Sequence, residues 1–209
     1  MAGLYEVLIS HLFSRPVLDK LRLQGQTCLQ QTSEEDYLAD TVEALDRGTR
    51  EARLKFCLFK ILHDCYWNPV KLHKIGLLPH ASCWCYADPR CDLLHVLSSC
   101  PSVQPLWKAV EHVLVDSMQH PTPLPPSLFM LHDTTSLPAL SRPQKKLLHT
   151  ALANAKICIV RHWRSETHPT PEDWIVAMIS IATHERVIYN IQDQAAIFAQ
   201  VWAPFLPDV

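Results

Sequence analysis

Between Cys83 and Cys100 the chain reads CWCYADPRCDLLHVLSSC, which places four cysteines and one histidine within eighteen residues of a 209-residue protein. Core packing alone gives no reason for that density of thiols. Zn²⁺ does, because thiolates and an imidazole satisfy it tetrahedrally and closely spaced pairs of ligands can close on it from two sides. Cys83 and Cys85 form one such pair, and His95 and Cys100 form the other, with residues 92–97 reading as a short helix. Cys85, Cys91, His95 and Cys100 make a rival ligand set. The single-residue gap between Cys83 and Cys85 makes a tighter turn than the usual two-residue gap. A second reading treats these residues as buried thiols that behave as small hydrophobes, or as a site that has lost its metal. A disulfide framework is not expected, since nothing marks the chain for export.

The expected fold class is all-α, with helical bundle-like modules around a short CCHC zinc knuckle. Four glycines against sixteen prolines suit helices punctuated by proline, and 48% hydrophobic content suits a folded core. Leu54, Leu58, Ile61, Leu62 and Cys65 recur with helical period, predicting an amphipathic helix over 50–66. Asn68-Pro69 opens a short helix to Ile75 that Gly76 stops. Val103, Leu106, Trp107, Val110, Val113, Leu114 and Met118 predict a helix to about residue 119, with Trp107 anchoring the knuckle onto it. A long helix starts near Pro143 and runs through Leu147, Ala151, Ala155, Cys158 and Trp163. Thr170-Pro171-Glu172-Asp173 is a helix start with Thr170 as N-cap and Pro171 as first residue. Trp174, Ala177, Met178, Ile181 and Ile188 form the expected buried stripe of that helix, and a last helix spans about 192–202. Residues 3–13 and the segment after the Thr32-x-x-Glu35 capping box are further expected helices. The organisation expected is a module over 1–119, a proline-rich linker over 120–142 and a helical module over 143–209.

Net charge is −2, which argues against strong nucleic-acid binding by the chain as a whole, but charge is segregated. Residues 47–76 hold seven Lys/Arg against two acids, and 142–164 hold six with no acid. Residues 33–46 carry six acids and no Lys/Arg. Such runs are commonly solvated helix faces. No stretch reaches the roughly 20 apolar residues that span a bilayer, and the first sixteen residues lack a basic n-region. An intracellular location, cytoplasmic or nuclear, and no membrane partner are therefore expected.

Cys-x-Cys, nine residues, His-x4-Cys-Pro and then Pro105-Leu106-Trp107 resembles the CCHC segment near the carboxy terminus of LINE-type (non-LTR) retrotransposon reverse transcriptases. Upstream, Lys60-Ile61-Leu62 followed by Tyr66, Pro69, Leu72 and Lys74 is similar to that family's helix and Tyr-x2-Pro-x2-Leu-x-Lys turn. Downstream, residues 147–163 with Pro169, Pro171 and Trp174 resemble its closing helices. The likeness runs from about residue 20 to about residue 190. The family usually has two residues between its first cysteines, and an aromatic residue where Ser98 stands.

The resemblance implies a retrotransposon-derived, RNA-binding reverse transcriptase segment with a zinc cofactor on Cys83, Cys85, His95 and Cys100. Trp84 and Tyr86 would then stack on bases of single-stranded RNA or DNA, while Arg50, Arg53, Lys71, Lys74 and Arg90 neutralise phosphates. Other retroelement proteins are the further partners it implies. No catalytic role is expected, because the chain has no Tyr-x-Asp-Asp element, Walker loop, Gly-x-Ser-x-Gly elbow, His-Glu-x-x-His helix or zinc-deaminase signature. A structural or protein-interaction domain stapled by zinc, and an inactive retroelement remnant, are the competing expectations.

Overall fold

The computed structural model describes residues 51–206, apart from 63, 87, 90, 119–123, 125, 133, 135–136, 163 and 166. Among the described residues the fold is all-α, as expected, with no strand. Seven α-helices occur: α1 (Ala52–Leu62), α2 (Pro69–Lys74), α3 (Gln104–Met118), α4 (Pro126–Leu131), α5 (Arg142–His162), α6 (Pro171–Ile191) and α7 (Ala195–Trp202). A π-helical turn, His95–Ser99, and a 3₁₀ turn, Pro101–Val103, lead from the cysteine-rich loop into α3. The expected helices over 3–13 and after Thr32, and the candidate residues Arg50, Arg90 and Trp163, lie outside the described residues. So does most of the proline cluster over 120–125, and α4 follows it within the stretch expected as a linker.

α5 organises the fold. It packs against α1, α3, α6, α7 and the π-helical turn, so every residue from Leu147 to Ile159 is buried. A helix covered on all sides has no solvent stripe to display, and its polar residues must find partners inside. Asn154 donates to the Trp174 carbonyl at 3.3 Å, Trp174 Nε1 donates to the Ala151 carbonyl at 3.1 Å, and Lys156 Nζ donates to the Met130 carbonyl at 2.7 Å. The basic block over 142–164 therefore does not form one solvated face. Lys156 is fully buried, and Lys146 is held at 3.1 Å by the buried carboxylate of Glu185.

Three other expectations are corrected. α1 ends at Leu62 and Asp64 turns the chain with φ 49°, so Cys65 falls beyond the helix and is exposed. The expected core stripe of α6 included Ile188, but the buried face is Trp174, Met178, Ile181, Ala182, Glu185 and Tyr189. Ile188 points outward because Glu185 and Tyr189 face inward, where both contact Lys146. The last helix starts at Ala195, after a turn in which Asp193 has φ 55°.

The start of α6 matches the sequence reading. Thr170 Oγ1 accepts from the Asp173 N–H at 3.1 Å, and the Asp173 carboxylate accepts from the Thr170 N–H at 3.1 Å, closing a reciprocal capping box with Pro171 in the first turn. Asn68 caps α2 by accepting from the Lys71 N–H at 3.0 Å, and Gly76, φ +76°, ends that segment in a left-handed conformation that glycine adopts without strain.

Candidate metal centre

Two short-range devices shape the cysteine-rich loop. Its ends are tied by the Cys91 N–H, which donates to the Ala81 carbonyl at 2.9 Å, and its tip by the Cys83 N–H, which donates to the Asp88 carbonyl at 3.0 Å. Asp92 then accepts from the His95 N–H at 2.9 Å and launches the π-helical turn, in which the Cys100 N–H donates to the His95 carbonyl at 2.8 Å. That five-residue closure brings the far end of the motif back under the loop. Trp107 secures the arrangement to α3: its Nε1 donates to the Leu97 carbonyl at 2.7 Å and its ring meets Phe129 edge-on at 5.2 Å. The sequence expectation for Trp107 as core anchor thus describes its actual contacts.

These devices bring all five Cys/His side chains of the motif together. Cys83, Cys85 and Cys100 place their sulfurs within 4.8 Å of one another, and so do the donor atoms of Cys83, Cys91 and His95. Cys83 is common to both groups. Its sulfur lies 3.7 Å from that of Cys100, close to the edge of about 3.8 Å that a tetrahedron with 2.3 Å zinc–sulfur bonds requires. The Cys85 N–H points at Cys83 Sγ from 3.4 Å, so the single-residue gap still turns a backbone donor onto the first sulfur. His95 is buried, its Nδ1 lies 3.4 Å from the Asp88 carboxylate, and its Nε2 has no hydrogen-bond partner among the described residues. A carboxylate on one ring nitrogen with the other nitrogen left for a cation is the arrangement of metal-binding histidines.

The donor chemistry and the spacing fit a metal ion. Burial pushes the Cys91 and Cys100 thiols up, the neighbouring Cys83 adding to both, and a hydroxyl bond from Ser102, 3.0 Å from Cys100 Sγ, works in the opposite direction on Cys100. A coordinated cation reverses that burial effect by stabilising the thiolate directly.

One donor was not foreseen. His168, in the loop between α5 and α6, places Nδ1 3.8 Å from Cys85 Sγ, 83 positions away in sequence. It lines the same cleft as Cys83, Cys85, Cys91 and Cys100, together with His162. Twelve histidines are scattered through the chain, and no spacing to a cysteine singles out His168.

The residues expected to meet nucleic acid are distributed unevenly. Trp84 is 40% and Tyr86 47% exposed, beside the Cys/His cluster. Arg164 stands over the Trp84 ring, 5.6 Å from its centroid, and donates to the Trp67 carbonyl at 3.1 Å. Arg53 is paired with Glu51 at 2.6 Å, and Lys71 with Asp64 at 2.8 Å, while Lys74 is exposed at the end of α2. No family model matches the chain. Fold and site together define an all-α protein with a Cys/His cluster able to hold a metal ion.

Proposed function

We propose that the chain is a non-catalytic, zinc-stapled helical domain that binds single-stranded nucleic acid, RNA in the first instance, on the face next to its metal centre. The observation that carries this reading is the gathering of Cys83, Cys85 and Cys100, and of Cys83, Cys91 and His95, into two donor groups that share Cys83 in a loop anchored by Trp107. Zinc is favoured over harder cations by the preponderance of sulfur donors. Bound there, it would close the cysteine-rich loop against the π-helical turn, and folding of the loop would depend on it. Trp84 and Tyr86 flank the centre and supply aromatic faces, and Arg164 joins Trp84 to Trp67 beside them. The resemblance to the carboxy-terminal segment of LINE-type reverse transcriptases supports the same reading.

Zinc-loaded protein should bind single-stranded RNA with an affinity that falls as salt rises. About four phosphate contacts give a log–log slope near −3, at ~0.7 per contact. Replacing Arg53, Lys71 and Lys74 by alanine should flatten the slope, and Trp84→Ala should cost roughly 1–3 kcal/mol of affinity while leaving it steep. Absence of binding at low salt would sink the nucleic-acid reading.

A second reading, a protein-interaction domain whose zinc only staples the fold, is favoured by α6. Val176, Ile179, Val187 and Ile191 are exposed along it, and two of the candidate phosphate-binding cations already have acidic partners.

A further inference from the structure

α6 is apolar on two opposite faces. One packs into the core through Trp174, Met178, Ile181 and Tyr189. The other carries Ile175, Val176, Ile179, Val187 and Ile191, each between 39% and 78% exposed. A helix that meets only its own core keeps charged and polar residues on its outer face, and this one keeps aliphatic side chains there instead. Four of the five fall, with Thr183 at their centre, on a single row with a spacing of four residues: Ile175, Ile179, Thr183, Val187 and Ile191.

Two properties of that row select a second copy of this chain to cover it. The first is its symmetry. Ile179 and Val187 stand four residues to either side of Thr183, and Ile175 and Ile191 stand eight. A copy related by a two-fold axis that passes Thr183 across the helix therefore sets Ile179 against Val187 and Ile175 against Ile191, in both directions, which is the self-complementarity a closed dimer needs. Rows of this spacing interdigitate between helices that cross at about −50°, the commonest helix packing in globular proteins. Thr183 is the only polar member of the row, and its hydroxyl donates to the Ile179 carbonyl at 2.9 Å, so covering it strands no hydrogen-bonding group.

The second property is area. At their observed exposures the five aliphatic side chains present on the order of 500 Å² in each copy, so two copies bury roughly 1,000 Å² together, the size at which a specific interface becomes possible. The rows alongside add Glu172, His184 and Arg186, so no block of like charge opposes the approach.

We infer that the outer face of α6 is the interface of an exchanging, two-fold homodimer in which the two helices cross antiparallel at Thr183. The dimer depends neither on metal at the Cys/His cluster nor on nucleic acid.

The test follows the full chain by sedimentation equilibrium as its concentration rises through the micromolar range. The wild type should pass from monomer to dimer. Ile179→Lys and Val187→Glu, both at exposed positions, should each stay monomeric while keeping the wild-type far-ultraviolet circular dichroism. Mixed in equal amounts, the two variants should regain the dimer, because the antiparallel register sets the introduced ammonium of one copy against the introduced carboxylate of the other and leaves a native Ile179–Val187 pair at the symmetric position. A parallel register pairs each position with itself and gives no such recovery. Wild-type protein that stays monomeric overturns the inference and leaves the face to a different occupant. A dimer that both variants retain places the contact elsewhere and overturns it too, as do monomeric variants that fail to recover on mixing.

Discussion

Cys83 and Cys100 hold their sulfurs 3.7 Å apart although seventeen positions separate them. That approach is the product of the π-helical closure at His95–Ser99 and of the hydrogen bonds that fold residues 81–91 back on themselves. Cys83 belongs to both groups of donors, so an ion seated on either group needs it.

Cys83→Ser should therefore abolish stoichiometric zinc in the purified chain, measured by elemental analysis against protein concentration. Cys91→Ser should leave one zinc per chain, because the three sulfurs on the other side of Cys83 do not include it. The reverse pattern, metal kept without Cys83 and lost without Cys91, would establish Cys85, Cys91, His95 and Cys100 as the ligands.

Trp107 links that cluster to the core, and its removal should be felt as stability before it is felt as chemistry. Trp107→Ala deletes a buried indole packed on Phe129 and should cost about 3–5 kcal/mol in urea denaturation. Trp107→Phe keeps most of the packing but strips the Leu97 carbonyl of its donor, for a cost of about 1–3 kcal/mol. Equal stability of wild type and Trp107→Phe would show that the Leu97 carbonyl finds another donor.

What could be read in the chain before folding was whatever depends on neighbours a few residues away. The Thr170 cap, the Pro171 start and the short helix opened by Asn68-Pro69 are local statements, and each describes the observed backbone, as the density of thiols describes the observed cluster. His168 beside Cys85 depends on where α5 ends and how the chain returns, which no spacing encodes. Lys156 misled for a different reason. A lysine in a block of six cations and no acid looks solvated, but α5 is enclosed by four helices, and enclosure belongs to the assembly and not to the helix. Glu185 shows the same effect: its burial makes sense only once Lys146 and Trp202 Nε1, 3.1 Å from its carboxylate, are seen around it.

Thr170→Ala removes the acceptor for the Asp173 N–H and should destabilise the protein by about 1 kcal/mol, within the ~0.5–2 kcal/mol range for lost caps. The backbone and side-chain bonds from Thr170 also hold the Asp173 carboxyl below its ordinary value. A carboxyl lowered in the folded state gives stability that is present above its unfolded pKa and lost as pH falls through the folded one. The wild type should accordingly lose part of its advantage over Thr170→Ala in acid, below about pH 4, as read by thermal unfolding across pH. An advantage independent of pH would mean that the bond from Thr170 Oγ1 to the Asp173 carboxylate contributes nothing, since the backbone N–H of residue 170 reaches that carboxylate in both proteins.

The strongest pH effect should come from Lys156. Complete burial pulls its amine down to about 7 from 10.5, with the nearby Cys57 working weakly in the other direction, and its hydrogen bond goes to the Met130 carbonyl. Close by, burial also lowers His132, whose ring faces His149 at 3.1 Å between Nδ1 atoms. Between pH 7 and 10.5 the unfolded chain binds a proton at Lys156 that the folded chain releases, so stability rises with pH across this window by up to about 1.4 kcal/mol per unit. The buried thiols of Cys57, Cys91 and Cys158 are raised by burial, and so take stability away at the alkaline end. Their effect is separated from that of Lys156 by comparing the wild type with Lys156→Met at each pH. Lys156→Met should be the more stable protein at pH 7, and its lead should shrink steadily toward pH 10, as followed by urea denaturation. A constant difference between the two proteins over that range would show that the Lys156 amine keeps its ordinary affinity for the proton, either through water reaching it or through a partner outside the described residues.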